Sequence, residues 1–169
     1  MSVSERSEGW VTDQLSRLTD EYGSAPVHQV SWSVSGPRYE EAAAVDTVEH
    51  AAAGVRVTND ADETLLVRDR HNEWAPPRGA VAADESLEAG ARRNVREATG
   101  VDCEVEGVER ITIVSIGDES DRDRPPIYCL IVLFVGSCGS DQTVQCTESP
   151  VRWRHSRPGD SLDPGVLAI

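Results

Sequence analysis

The chain has 169 residues, a hydrophobic fraction of 38% and a formal net charge of -14, from 30 acidic and 16 basic side chains. Every basic residue is arginine; lysine is absent. The length suits one domain with a real core, and the charge disfavours nonspecific binding to nucleic acid or an anionic membrane, whose phosphates it repels.

An acidic surface without lysine points to adaptation to concentrated intracellular salt, where screening relieves self-repulsion. The plainer alternative is a soluble acidic protein. No apolar run reaches the length of about 18 residues that a membrane span needs. The start, MSVSERSEGW, lacks a positive region followed by an apolar run, so a cytoplasmic location is the expectation.

In chain order, residues 1–23 predict an amphipathic helix, with Val11, Leu15, Leu18 and Tyr22 at helical spacing and Gly23 as the stop. VSWSVS follows, alternating Val30, Trp32 and Val34 against serines as a half-buried strand does, and GPRYEEAA breaks it. From His50, HAAAGVRVT, the turn NDADE and TLLVRDR predict a β-hairpin. A loop at Gly79 and a helix come next. CEVEGVERITIVSI and PIYCLIVLFVG then predict two strands joined by the charged loop GDESDRDRPP, and VQCTESPVRWRH predicts a last one. Strands on both sides of a mid-chain helix indicate an α+β or mixed-sheet sandwich fold. Cys103, Cys129, Cys138 and Cys146 form no C-x-x-C pair, and His28, His50, His71 and His155 are scattered. Zinc is therefore not expected, and Cys103 and Cys129 read as buried free thiols.

The chemistry concentrates in RGAVAADESLEAGARRNVREATGV, residues 78–101. Ser86 or Asp84 caps the helix start, Gly100 suits the left-handed position past its end, and Leu87, Ala91 and Val95 form the buried stripe. At about 100° per residue, positions 94, 97 and 98 fall in an arc of roughly 100° beside that stripe. Three carboxylates there would converge on a hard cation such as Mg²⁺, and Gly79 would let backbone approach the same point. The sequence supplies Asn94, Glu97 and Ala98. Asn94 keeps an amide oxygen as a neutral ligand but cannot take up a proton near neutral pH. Glu85 and Arg93 are placed to brace the loop against the helix.

This segment resembles the signature of the Nudix hydrolase superfamily: glycine, five residues, Glu, seven residues, then R-E-U-x-E-E-x-G-U, with U a bulky aliphatic. Gly79, Glu85, Arg93, Val95, Glu97, Gly100 and Val101 stand in register with it. WAPPRG resembles the family's aromatic approach to that glycine, and SPVRW a common segment after its last core strand. The resemblance runs from about residue 48 to 155, so residues 1–45 are expected to be an N-terminal helix-and-strand extension and 46–169 a Nudix-like domain. It implies a mixed β-sheet sandwiched between α-helices, and hydrolysis of a nucleoside diphosphate linked to another moiety, assisted by Mg²⁺ or Mn²⁺. Carried over residue by residue, Glu97 is the one metal-binding carboxylate kept, with Gly79 and Asn94 beside it and the cation held weakly. Asp118, Glu119 and Asp121 in the charged loop, or Glu148 near the last strand, are candidates to complete the site, with Glu97, Glu119 and Asp118 as catalytic candidates. Arg78 is placed to meet a substrate phosphate, in a Pro-Arg-Gly similar to that of members acting on dinucleoside or inositol polyphosphates, and Trp74 to stack on a base. Glu85, Arg93 and Gly100 are the structural members. The first expectation is a metal-dependent pyrophosphohydrolase with a weakened site. The alternative is a noncatalytic Nudix-fold module that binds a nucleotide or a protein, and a homodimer through the N-terminal helix is a further one.

Overall fold

In the computed structural model, which describes residues 2–44, 50–139 and 151–154, one mixed sheet carries helices on both faces. The elements are α1 (Val3–Tyr22), β1 (Val27–Val34), α2 (Gly36–Ala43), β2 (Ala51–Thr58), β3 (Thr64–Arg68), β4 (Trp74–Ala75), β5 (Arg78–Val81), α3 (Leu87–Thr99), β6 (Glu104–Asp118), β7 (Ile127–Ser137) and β8 (Val151–Arg154). Strand order is β1-β6-β7-β2-β3-β4, with β5 on β2 and β8 on β3. The boundary expected at 45/46, Cys146, Glu148 and His155 lie outside the described residues.

α1 begins at a capping box between Ser2 and Glu5 and ends at Gly23, whose φ of 83° is open to glycine. Val11 and Leu18 bury the stripe of α1 against the face of the sheet that also carries α3. Arg17 ties the two helices with a forked contact to Glu88, at 2.9 and 3.1 Å. β1 runs parallel to β6 from Val27↔Ile111 to Val34↔Asp118. The N-terminal elements are thus built into the sheet and its core.

GPRYEEAA, read as a break, is helix α2. Ser35 caps it and Pro37 stands in its first turn, where a missing N–H costs nothing. Tyr39 and Ala42 bury it on the opposite face with Val34, Val114 and Ile116. The expected β2–β3 hairpin has a single ladder pair, Thr58↔Thr64. Instead β2 runs parallel to β7 over its whole length and takes β5 on its other side. Buried on both faces, β2 reads as the apolar run AAAGVRV rather than as an alternation. Cys103 and Cys129 are buried free thiols, as expected, and burial pushes them up to about 11 and about 12.

Candidate functional site

α3 starts at Ser86, whose side chain accepts from the Ala89 amide, and stops at Gly100 in the left-handed conformation, φ 77° and ψ 1°. Leu87, Ala91 and Val95 are buried against the sheet. Gly79 lies not in a loop but in β5, paired with Ala53 of β2. The crossing there is tight. A Cβ at Gly54 would come within 2.3 Å of the Pro77 carbonyl oxygen, and one at Gly79 within 3.0 Å of the Asn94 amide oxygen.

The brace between loop and helix is formed. Arg93 donates to Glu85 through Nη2 at 2.6 Å and through Nε at 3.1 and 3.2 Å, and to the Ala80 carbonyl at 3.0 Å. Glu85 also accepts from the Ala82 amide at 2.9 Å. These contacts, the Arg93 hydrogen bonds first, hold the Glu85 carboxyl below its ordinary value. The remaining Arg93 amine reaches Glu97 at 3.1 Å, on a side chain that is 65% exposed.

Asn94 is buried, and its side-chain nitrogen donates to three carbonyl oxygens: Gly79 at 2.9 Å, Ala53 at 3.0 Å and Ala80 at 3.2 Å. Three acceptors around one amide atom fix its orientation, since the oxygen in that place would meet only other lone pairs. The Gly79 carbonyl therefore faces the amide nitrogen of Asn94. Ala98 adds no polar atom, and among the described residues no three His, Cys, Asp or Glu side chains converge as a metal site.

The charged loop stands elsewhere. Ile111, Val132, Ala53 and Gly79 form one line across β6, β7, β2 and β5. Asp118 is seven residues beyond Ile111 on β6, roughly 23 Å along an extended strand. Its carboxylate is buried and accepts from the Ser120 amide and hydroxyl, at 2.8 and 2.5 Å, and from Arg124 at 3.1 Å. Those bonds, Ser120 first, lower its pKa. Arg124 continues to Glu40 of α2 at 2.6 Å and lies over the Tyr39 ring. Glu119 is exposed, its amide bonded to the Val34 carbonyl, and Asp121 turns the loop through a bridge to Asp118. The structure gathers these acids at the α2 end of the sheet and does not bring Asp118 or Glu119 to Glu97.

Arg78 and Trp74 also turn away from α3. Strand alternation puts Arg78 on the face of its ladder partner Gly54, opposite that of Ala53, which packs under α3. Trp74 shares a face with its partner Arg68, and along β3 and β8 the same face carries Arg152 and Arg154. All three of these guanidiniums lie on the Trp74 indole, with carbon-to-centroid distances of 5.1 Å for Arg68, 3.9 Å for Arg152 and 5.5 Å for Arg154. Sequence reading found the tryptophan and missed this cluster. Its signal is the alternation in TLLVR and VRWR, legible only once the two strands are known to pair.

The sequence profile of the NUDIX domain matches residues 48–156. A curated Caenorhabditis elegans protein, "Putative nudix hydrolase 1", is 35% identical over 92 residues, covering 51% of this chain and 24% of that protein. The chain thus spans about a quarter of that relative's length. Among solved structures, a C. elegans Ap4A hydrolase binary complex is similar at 16% identity and a TM-score of 0.45, over 62% of this chain and 78% of that one. A MutT protein from Methanosarcina mazei Go1 is similar at 20% identity and a TM-score of 0.46, over 66% and 80%.

Proposed function

The chain belongs to the Nudix family, and from that premise we propose that it is a Nudix-fold module that binds a nucleoside diphosphate compound, with α3 serving as structure rather than as a metal-dependent hydrolytic centre. Asn94 carries this reading. A divalent cation needs lone pairs around it, and here the Gly79 carbonyl meets an amide N–H group that already serves as its positive partner. Of positions 94, 97 and 98, Glu97 alone supplies a carboxylate, and Arg93 pairs with it. The residues present on α3 therefore do not fit Mg²⁺ or Mn²⁺. What α3 does is hold the β5 crossing, through Asn94 and the Glu85–Arg93 brace. The ligand class comes from the family, and Arg78 and Trp74 are the proposed ligand-contacting residues.

A second reading, a Nudix hydrolase with a weakened site, is favoured by the retention of Glu97 in register with the family motif and by the name of the C. elegans relative. One set of measurements separates the two. Parent and the Asn94→Glu, Ala98→Glu double variant are titrated with a panel of nucleoside diphosphate compounds, and turnover is followed with Mg²⁺ and Mn²⁺. The module reading expects saturable binding by the parent without turnover, and a gain of metal binding in the double variant, whose three carboxylates act as a unit. Metal-dependent turnover by the parent, lost in Glu97→Gln, would establish the hydrolase instead.

A further inference from the structure

We propose that Arg68, Arg152 and Arg154, gathered on the Trp74 indole, form an anchor for a phosphate chain, the diphosphate or longer polyphosphate portion of a nucleotide compound. The proposal rests on the reading of the protein as a module for such compounds and names the part of the surface that would hold the phosphates.

Three like charges share one small space. All three guanidinium carbons lie within 5.5 Å of the Trp74 ring centre. In a chain with 30 acidic side chains and 16 basic ones, carboxylate partners are plentiful. Arg17, Arg56, Arg93, Arg96 and Arg124 each have one. Among the described residues, none of the three cluster arginines pairs with a carboxylate. Arg68 instead hydrogen-bonds the Asn72 side-chain oxygen. The Arg152 guanidinium is held below its ordinary value by partial desolvation and by the positive charge of Arg154 and Arg68, the behaviour of a cation crowded by cations.

Such a cluster is stabilised when an anion enters it. Guanidinium forks match phosphate oxygens, and an indole face orders the forks without neutralising them. Arg152, at 3.9 Å, covers one face of the ring. The cluster therefore presents N–H edges rather than a bare stacking surface, which selects a phosphate chain over a base. A second observation belongs to the same face. Arg56, two residues before Thr58 and its ladder partner Thr64, is 7% exposed, and its Nη1 is buried without a hydrogen-bond partner among the described residues. Its Nε is paired to Glu109 at 2.8 Å. One face of the sheet thus carries a buried N–H without a partner and three guanidiniums with no carboxylate partner among the described residues.

The test is calorimetric titration with sodium tripolyphosphate and, separately, with ADP-ribose, at constant ionic strength in KCl. Parent, Arg152→Gln, Arg154→Gln, Arg152→Lys and the α1 control Arg6→Gln are compared, each checked for native circular dichroism. The anchor predicts saturable tripolyphosphate binding, weakened about tenfold in each Gln variant, partly retained in Arg152→Lys and unchanged in Arg6→Gln. A parent that does not saturate, or an Arg152→Gln that binds like the parent, overturns it. Binding of ADP-ribose that is indifferent to the Gln variants leaves the module reading standing and removes the anchor. Tripolyphosphate binding without binding of any nucleotide compound does the reverse. Polyglutamate binding as tightly as tripolyphosphate would reassign the surface to an acidic protein partner and overturn the phosphate assignment.

Discussion

Arg93 and Arg152 are the same residue type in two opposite situations. Arg93 sits between two carboxylates and a carbonyl, each within 3.2 Å, and ties a loop to a helix. Arg152 lies on an indole among other arginines, and no carboxylate among the described residues pairs with it. The first arrangement is complete in itself and stabilises the fold. The second is electrostatically unfinished and has something to gain from a ligand. Family motifs mark the first kind of site because its members lie close in sequence. A functional surface built across strands carries no such mark.

The largest effect should come from disturbing the completed side. Asn94→Asp changes one atom's identity and sets a carboxylate against three carbonyl oxygens. It should cost about 3 kcal/mol at neutral pH, the loss of buried hydrogen bonds plus uncompensated charge. The sign of its pH dependence is diagnostic. The new carboxyl would ionise less readily in the folded chain than in the unfolded one, where its value is about 3.9. The penalty should therefore fade as pH is lowered toward that value and grow as pH rises, and denaturant titrations of both proteins at several pH values would show it. A variant as stable as the parent at pH 7, or one stabilised by Mg²⁺, would mean that the site prefers a cation after all.

Next in size is the brace. Arg93→Ala should lower stability by about 1 to 3 kcal/mol, because Glu85 and the Ala80 carbonyl lose charged partners in a half-buried setting. Glu85 ionises below its ordinary 4.5 in the folded chain. Its contribution is thus present above that value and is lost as pH falls through the lower, folded one. The variant should show a flatter acid limb than the parent. An unchanged denaturation midpoint would reduce the brace to a surface contact.

How much of this was legible follows from what each element depends on. α3 was readable because its cap, stripe and stop lie within residues 86–100 and depend on neighbours. Helical spacing puts position 94 beside the buried stripe, but which amide atom of Asn94 meets the Gly79 carbonyl depends on the carbonyls of Ala53 and Ala80, fixed by a strand pairing that the sequence does not print. In GPRYEEAA the glycine and proline mask α2 as a break, although Ser35 before Pro37 is itself a helix start. The β2–β3 hairpin is shorter than the sequence suggests because β5 takes the edge of β2 that a continuous hairpin would have used. Asp118 and Glu119 are candidates by their place in the charged loop, but a loop's position follows from strand register, and β6 carries them to the α2 end of the sheet.

Salt tests which electrostatic regime dominates the whole molecule. Screening weakens each ion pair but relieves a net charge of -14. We expect the relief to win by about 1 to 2 kcal/mol between low and molar KCl, seen as a rising melting midpoint by circular dichroism. A midpoint that is flat between about 0.1 and 2 M KCl would count against adaptation to salt.

The smallest effect is the most informative about the comparison. Arg152→Gln should leave the denaturation midpoint almost unchanged, because two opposing contributions nearly cancel. Removing the guanidinium forfeits its cation–π contact with Trp74. It also removes repulsion from Arg68 and Arg154, which already depress Arg152. Arg93→Ala has no such compensation, since every neighbour it loses is an acceptor. Paired denaturant titrations of the two variants therefore read the difference directly. If Arg152→Gln proves as costly as Arg93→Ala, the cluster on Trp74 is a structural brace like the other, and its crowding needs no ligand to account for it.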